Sequence, residues 1–77
     1  MARRLIKKPI QVGRCQVKIY KDSDTKEWIV QSLTVRAGKL RVEGGKDGGA
    51  FEDSPKSARD TAAAEVRRLR KLPRCRR

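Results

Sequence analysis

The longest patterned stretch runs from Ser54 to Leu72. Ala58, Ala62, Val66, Leu69 and Leu72 recur at spacings of four, four, three and three. On a helix of 3.6 residues per turn these positions form one apolar stripe. Ser54 suits the N-cap, where its hydroxyl can accept an orphan backbone N–H, and Pro55 suits the first helical position. Pro73 ends the run. Upstream the period changes to two. Cys15, Val17 and Ile19 alternate with Gln16, Lys18 and Tyr20, which predicts a first strand over Gln11–Lys21 with the former set inward. A turn cluster, Asp22-Ser23-Asp24-Thr25, follows. Trp28–Arg36 reads as a second strand with apolar residues on both faces, so its register stays open, and Trp28 is assigned to the core. After the tight Ala37-Gly38-Lys39 connection, Leu40–Glu43 begins a third strand. The run Gly44-Gly45-Lys46-Asp47-Gly48-Gly49 interrupts it, and Ala50-Phe51 resumes it, with Phe51 expected to cap the core under the helix.

This order predicts an α+β fold: a three-stranded antiparallel β-sheet packed by one C-terminal α-helix, β-β-β-α, with one sheet face left open. The domain would span residues 11–72, between a flexible basic N-terminal arm at 1–10 and a basic tail at 73–77. At 77 residues with 36% apolar side chains, such a core is small and marginal.

Charge changes the picture most. Residues 1–21 carry seven basic and no acidic side chains, residues 22–53 five and seven, and residues 54–77 nine and two. The net +12 is thus concentrated at the two ends. Self-repulsion of this kind disfavours the compact state, and a polyanion would relieve it. Nucleic acid is the first candidate. Simple solubility is the bland alternative. Acidic lipid is a weaker one, because an alanine-rich stripe inserts poorly into a bilayer. The candidate contacts are Arg3, Arg4, Lys7 and Lys8 in the arm and Lys46 at the tip of the glycine run. On the helix, Lys56, Arg59, Arg67 and Arg70 share a band away from the apolar stripe. A helix start beside Lys56 and Arg59 also presents free N–H groups to an anion.

Other chemistry finds little support. The glycine run lacks the spacing of a phosphate-binding P-loop. There is no histidine and no nucleophile with an evident base, so the chain reads as a non-enzyme without a cofactor. Two cysteines without histidine do not make a four-ligand zinc site. No signal peptide or spanning segment is visible, which points to the cytoplasm, on the nucleoid if the target is DNA. There thiols stay reduced, so Cys15 reads as a buried small residue and Cys75 as an exposed thiol. If the tail reached, a Cys15–Cys75 bridge would add about 4 kcal/mol.

The run from Ser54 to Val66, with Lys56, Ala58, Arg59 and Ala62-Ala63-Ala64, is similar to the C-terminal helix of double-stranded-RNA-binding domains. That resemblance implies phosphate contacts from Lys56 and Arg59. Pro55 stands where the family has a further lysine, and residues 1–10 lack the family's leading helix. Gly49-Ala50-Phe51, followed by Ala58 and Ala62-Ala63, also resembles AP2-type domains and the arm-type DNA-binding domains of phage and transposon integrases. Those have three strands, one helix and no leading helix, and they lay the sheet into the major groove. This second resemblance implies contacts from Arg14, Lys18, Arg36 and Arg41. Together these readings predict a small double-stranded nucleic-acid-binding protein, DNA ahead of RNA. The alternative is an interaction module or inhibitor that docks on an acidic partner protein, or a homodimer. An exposed apolar patch around Trp28 and Val30 would favour that alternative.

Overall fold

The computed structural model describes residues 3–45 and 48–76. Its elements are β1 (Arg3–Leu5), β2 (Ile10–Val12), β3 (Cys15–Asp22), β4 (Trp28–Arg36), β5 (Lys39–Val42), β6 (Ala50–Glu52) and α1 (Pro55–Arg70), followed by a 3-10 turn at Pro73–Cys75. All six strands belong to one antiparallel sheet. The expected three-stranded sheet is therefore corrected to six strands. The fold remains α+β with a single C-terminal helix.

The plan of the sheet explains the difference. β3 and β4 form a long central ribbon, with Val17 opposite Ser32 and Ile19 opposite Val30. Each flank of the ribbon carries two short strands end to end. β5 and β6 pair with opposite ends of β4 and are the two halves of the interrupted third strand. β1 and β2 pair with opposite ends of β3. The stretch read as a free arm is thus part of the sheet over residues 3–5 and 10–12. Short strands of this kind are usual at sheet edges, where they discourage pairing with other chains.

Cross-strand partners lie on the same face. Cys15, Val17 and Val30 lie on the helix side and form the core with Val12, Ala58, Ala62, Leu69 and Cys75. Ile19, Trp28, Val66 and Leu72 pack around it, partly buried. Trp28 borders the core rather than being enclosed by it. Phe51 pairs with Ile29, which puts its ring on the face away from the helix, where it is 49% exposed. The expectation that Phe51 caps the core is overturned.

The helix begins as its sequence dictates. Ser57 N–H donates to Ser54 Oγ at 3.1 Å, and Pro55 occupies the first turn. Its C-terminal end leads into a segment that is fastened, not free. Cys75 is bonded to Cys15, and the two side chains are 2% and 0% exposed. This corrects the expectation of a reduced pair with Cys75 exposed. Gly13 makes the approach possible. Arg14 N–H donates to Cys75 O at 2.8 Å, and a Cβ at Gly13 would lie 1.8 Å from that oxygen. No described helix is long and apolar enough to cross a membrane.

Candidate nucleic-acid interface

The helix side chains sort by angle. With Ala58, Ala62 and Leu69 turned into the core, Arg59, Arg67 and Arg70 are carried to the solvent side, and all three are exposed. They make no ion pair among the described residues. Lys56, also exposed, shares the band but pairs with Asp60 at 3.4 Å, a surface contact worth little. Lys56 to Arg70 spans about 21 Å at about 1.5 Å per residue. Arg67 and Arg70 border an open cleft of about 490 Å³ with Ala64, Arg68 and Lys71. Lys71 extends the row by one cation that the apolar stripe did not single out.

The acidic residues nearest the helix are already engaged. Arg68 binds Glu65 at 2.7 Å and also pairs with Glu43. Arg74 reaches Glu43 at 3.5 Å. Ser32 Oγ donates to Glu65 Oε1 at 2.7 Å, and Thr61 Oγ1 donates to Glu52 Oε2 at 3.0 Å. The Arg68 hydrogen bond, helped by Ser32, holds the Glu65 carboxyl below its ordinary range despite partial burial. The two carboxylates likewise hold Arg68 firmly protonated. This network neutralises Arg68 and Arg74 and leaves the outer row uncompensated.

A second cationic region lies where β1 meets the β3–β4 turn. The pairing of Arg4 with Lys21 and of Arg3 with Asp22 gathers Arg3, Arg4, Lys21 and Lys26 with Ser23 around a cleft of about 340 Å³. Asp22 is buried and accepts from Asp24 N–H at 2.8 Å and Thr25 N–H at 3.3 Å. Lys21 and Lys26 were missed from the sequence. Their grouping with Arg3 and Arg4 depends on β1, which no periodicity announces. Between the two regions, Lys7 and Arg59 share a narrow apolar cavity with Ile6, Ile19, Trp28 and Pro55, so the helix start and the N-terminal segment meet.

The strand cations do not form the expected patch. Register puts Arg41 opposite Thr34 and Arg36 opposite Lys39. Thr34, Ser32 and Val30 follow one another on the helix side, so Arg36 and Arg41 belong to that side as well. Arg14 sits in the β2–β3 turn. Of the four, only Lys18 lies on the open face, opposite Gln31. That face carries Leu5, Tyr20, Ile29 and Phe51 in one transverse row. A sheet laid basic-face-first into a groove is not what these residues build. Lys8 is exposed between β1 and β2, and Lys46 lies outside the described residues. Trp28 and Val30, whose exposure as an apolar patch would have favoured a protein partner, are half-buried and buried against the core.

No protein-family model, curated protein or solved structure matches this chain.

Proposed function

We propose that the protein is a small double-stranded nucleic-acid-binding module, with DNA ahead of RNA, that grips the phosphate backbone along the outer face of α1. The observation that carries this reading is the row Arg59, Arg67, Arg70 and Lys71, which has no ion-pair partners among the described residues, whereas Glu43, Glu52, Asp60 and Glu65 are each engaged by other side chains. Over the roughly 18 Å of that row a duplex carries about 11 phosphate charges. Contacts of this type fix position and affinity and read no sequence. DNA stays ahead of RNA because residues 3–5, where the double-stranded-RNA-binding family would have its leading helix, are a strand. A cytoplasmic site of action requires the Cys15–Cys75 bridge to persist among reducing thiols. The burial of both residues denies an attacking thiolate access.

The test is fluorescence anisotropy with labelled duplex DNA and duplex RNA across a salt series. Replacing Arg59, Arg67 and Arg70 together by Ala should weaken duplex binding about tenfold or more. It should also reduce the slope of log K against log salt by about 0.9 per lost phosphate contact. An unchanged slope removes the helix row from the interface. Weak binding to every polyanion, abolished at about 150 mM salt, would redirect the search to an acidic protein partner.

A further inference from the structure

Phe51 is the most exposed large apolar side chain among the described residues. It stands at one end of the row Leu5, Tyr20, Ile29 and Phe51 on the face away from the helix, a row in which Ile29 is fully buried. The Arg3 guanidinium lies 5.8 Å from the centroid of its ring. Arg3 also borders the cleft at the β3–β4 turn, with Arg4, Lys21 and Lys26, and among the described residues no acidic side chain lines that cleft. Its Nε is buried without an acceptor among the described residues, an unmet donor that costs free energy. An aromatic face and an anion cleft thus share one arginine.

We propose that this end of the sheet takes an unpaired nucleotide of a nucleic-acid strand, with its phosphate between Arg3, Arg4, Lys21 and Lys26 and its base stacked on Phe51. The pairing of a stacking ring with backbone-tracking cations is the chemistry by which proteins hold single strands without reading sequence. A base covers the exposed ring, and a phosphate meets the cations that line the neighbouring cleft. A second copy of the chain is a poor occupant. A two-fold contact through this face would bring two sets of the same four cations together. The site uses none of the helix row, so it stands or falls independently of the duplex reading.

The sole tryptophan provides a direct readout. Lys21 Nζ lies 5.1 Å from the Trp28 ring, so a phosphate that draws Lys21 away should change Trp28 emission. The probe is a short oligothymidine, 3′-labelled, with and without a 5′-phosphate. Duplex DNA and phosphatidylserine vesicles serve as controls. Phe51→Ala should weaken oligothymidine binding at least about fivefold, the loss of one stacked base, and leave duplex affinity unchanged. Phe51→Leu keeps an apolar side chain at this exposed position and should lose nearly as much. Lys21→Gln with Lys26→Gln should abolish any preference for the 5′-phosphate. Three results would overturn the proposal: oligothymidine bound equally by Phe51→Leu and the native chain, a saturating titration that leaves Trp28 emission unmoved, or vesicles bound in place of the oligonucleotide.

Discussion

Residues 1–21 and residues 54–77 each carry a net +7, yet the chain fastens them by different means. At the N-terminal end, Arg3–Leu5 is held by the ladder to β3, and Leu5 remains substantially exposed. At the C-terminal end, the 3-10 turn is held by a covalent bond, by the Arg14 N–H to Cys75 O hydrogen bond and by Arg74 on Glu43. Two stretches of equal charge differ because one can join a sheet and the other follows a helix that Pro73 has ended. An edge strand adds hydrogen bonds one residue at a time. A short turn has few backbone bonds to offer, and a disulfide substitutes for them.

The largest way to break this asymmetry is to remove the bridge. Cys15 and Cys75 are separated by 60 residues, and a loop of that size corresponds to about 4 kcal/mol of lost denatured-state entropy. A domain of this length has a total stability of about 4 to 12 kcal/mol. Cys75→Ser should therefore remove from about a third of that stability to all of it. Urea titration monitored by Trp28 fluorescence would measure it, and a change below about 1 kcal/mol would mean that packing alone holds the turn. The next effect acts on the same junction without touching sulfur. Gly13 has a φ of 59°, and its added Cβ would collide with Cys75 O. Gly13→Ala should cost about 2 kcal/mol through strain and displacement of the turn. The same titration checks it, and a neutral result would show that the turn can shift.

Deleting residues 1–5 tests the other end. It removes the β1 ladder and exposes one edge of β3, but it opens no core position. The expected loss is about 1 kcal/mol, the net worth of a few exposed backbone hydrogen bonds, with the helical circular-dichroism signal retained. Collapse of the fold would instead make β1 a core element and erase the contrast between the ends.

How much of this was legible follows the same division. The helix was, because sixteen residues allow the apolar stripe to recur and Ser54-Pro55 marks its start. β3 was, because it alternates over eight residues, and its inward set Cys15, Val17 and Ile19 lies on the helix side as expected; β4 was as a nine-residue strand but not in its register, because both of its faces carry apolar residues. Three-residue strands carry no period. β1 shows only Leu5 among charges, and β2 only Ile10 and Val12. The face taken by Phe51 depends on where the strand restarts after the glycine run, and a single position carries no parity of its own. The docking of Cys75 needed Gly13, sixty-two positions upstream, to lack a side chain. The candidate site divides likewise. Arg59, Arg67 and Arg70 could be grouped by helical angle alone, whereas grouping Arg3 and Arg4 with Lys21 and Lys26 required the register of a strand that the sequence conceals.

The smallest effect sharpens the comparison by giving the C-terminal anchor a titrating component. Arg68 ties α1 to Glu65 and Glu43, and the Glu65 carboxyl is held below its ordinary range by that arginine and by Ser32. A carboxyl lowered in the folded state binds fewer protons there than in the unfolded chain. Its contribution is therefore complete above the ordinary glutamate value of about 4.3 and drains away as pH falls through the lowered folded value. Glu65→Gln should remove that slope and cost only about 0.5 kcal/mol at neutral pH, because the pair is partly screened by solvent. The measurement is the melting temperature of native and variant chains from pH 7 down to about pH 2. The two curves should lie a small distance apart at neutral pH and converge in acid, where the native carboxyl has taken up its proton. Parallel curves would mean that Arg68 draws its hold from Glu43 alone. The tie between helix and sheet would then run through the β5 end, next to Arg74, and the C-terminal segment would depend on one carboxylate instead of two.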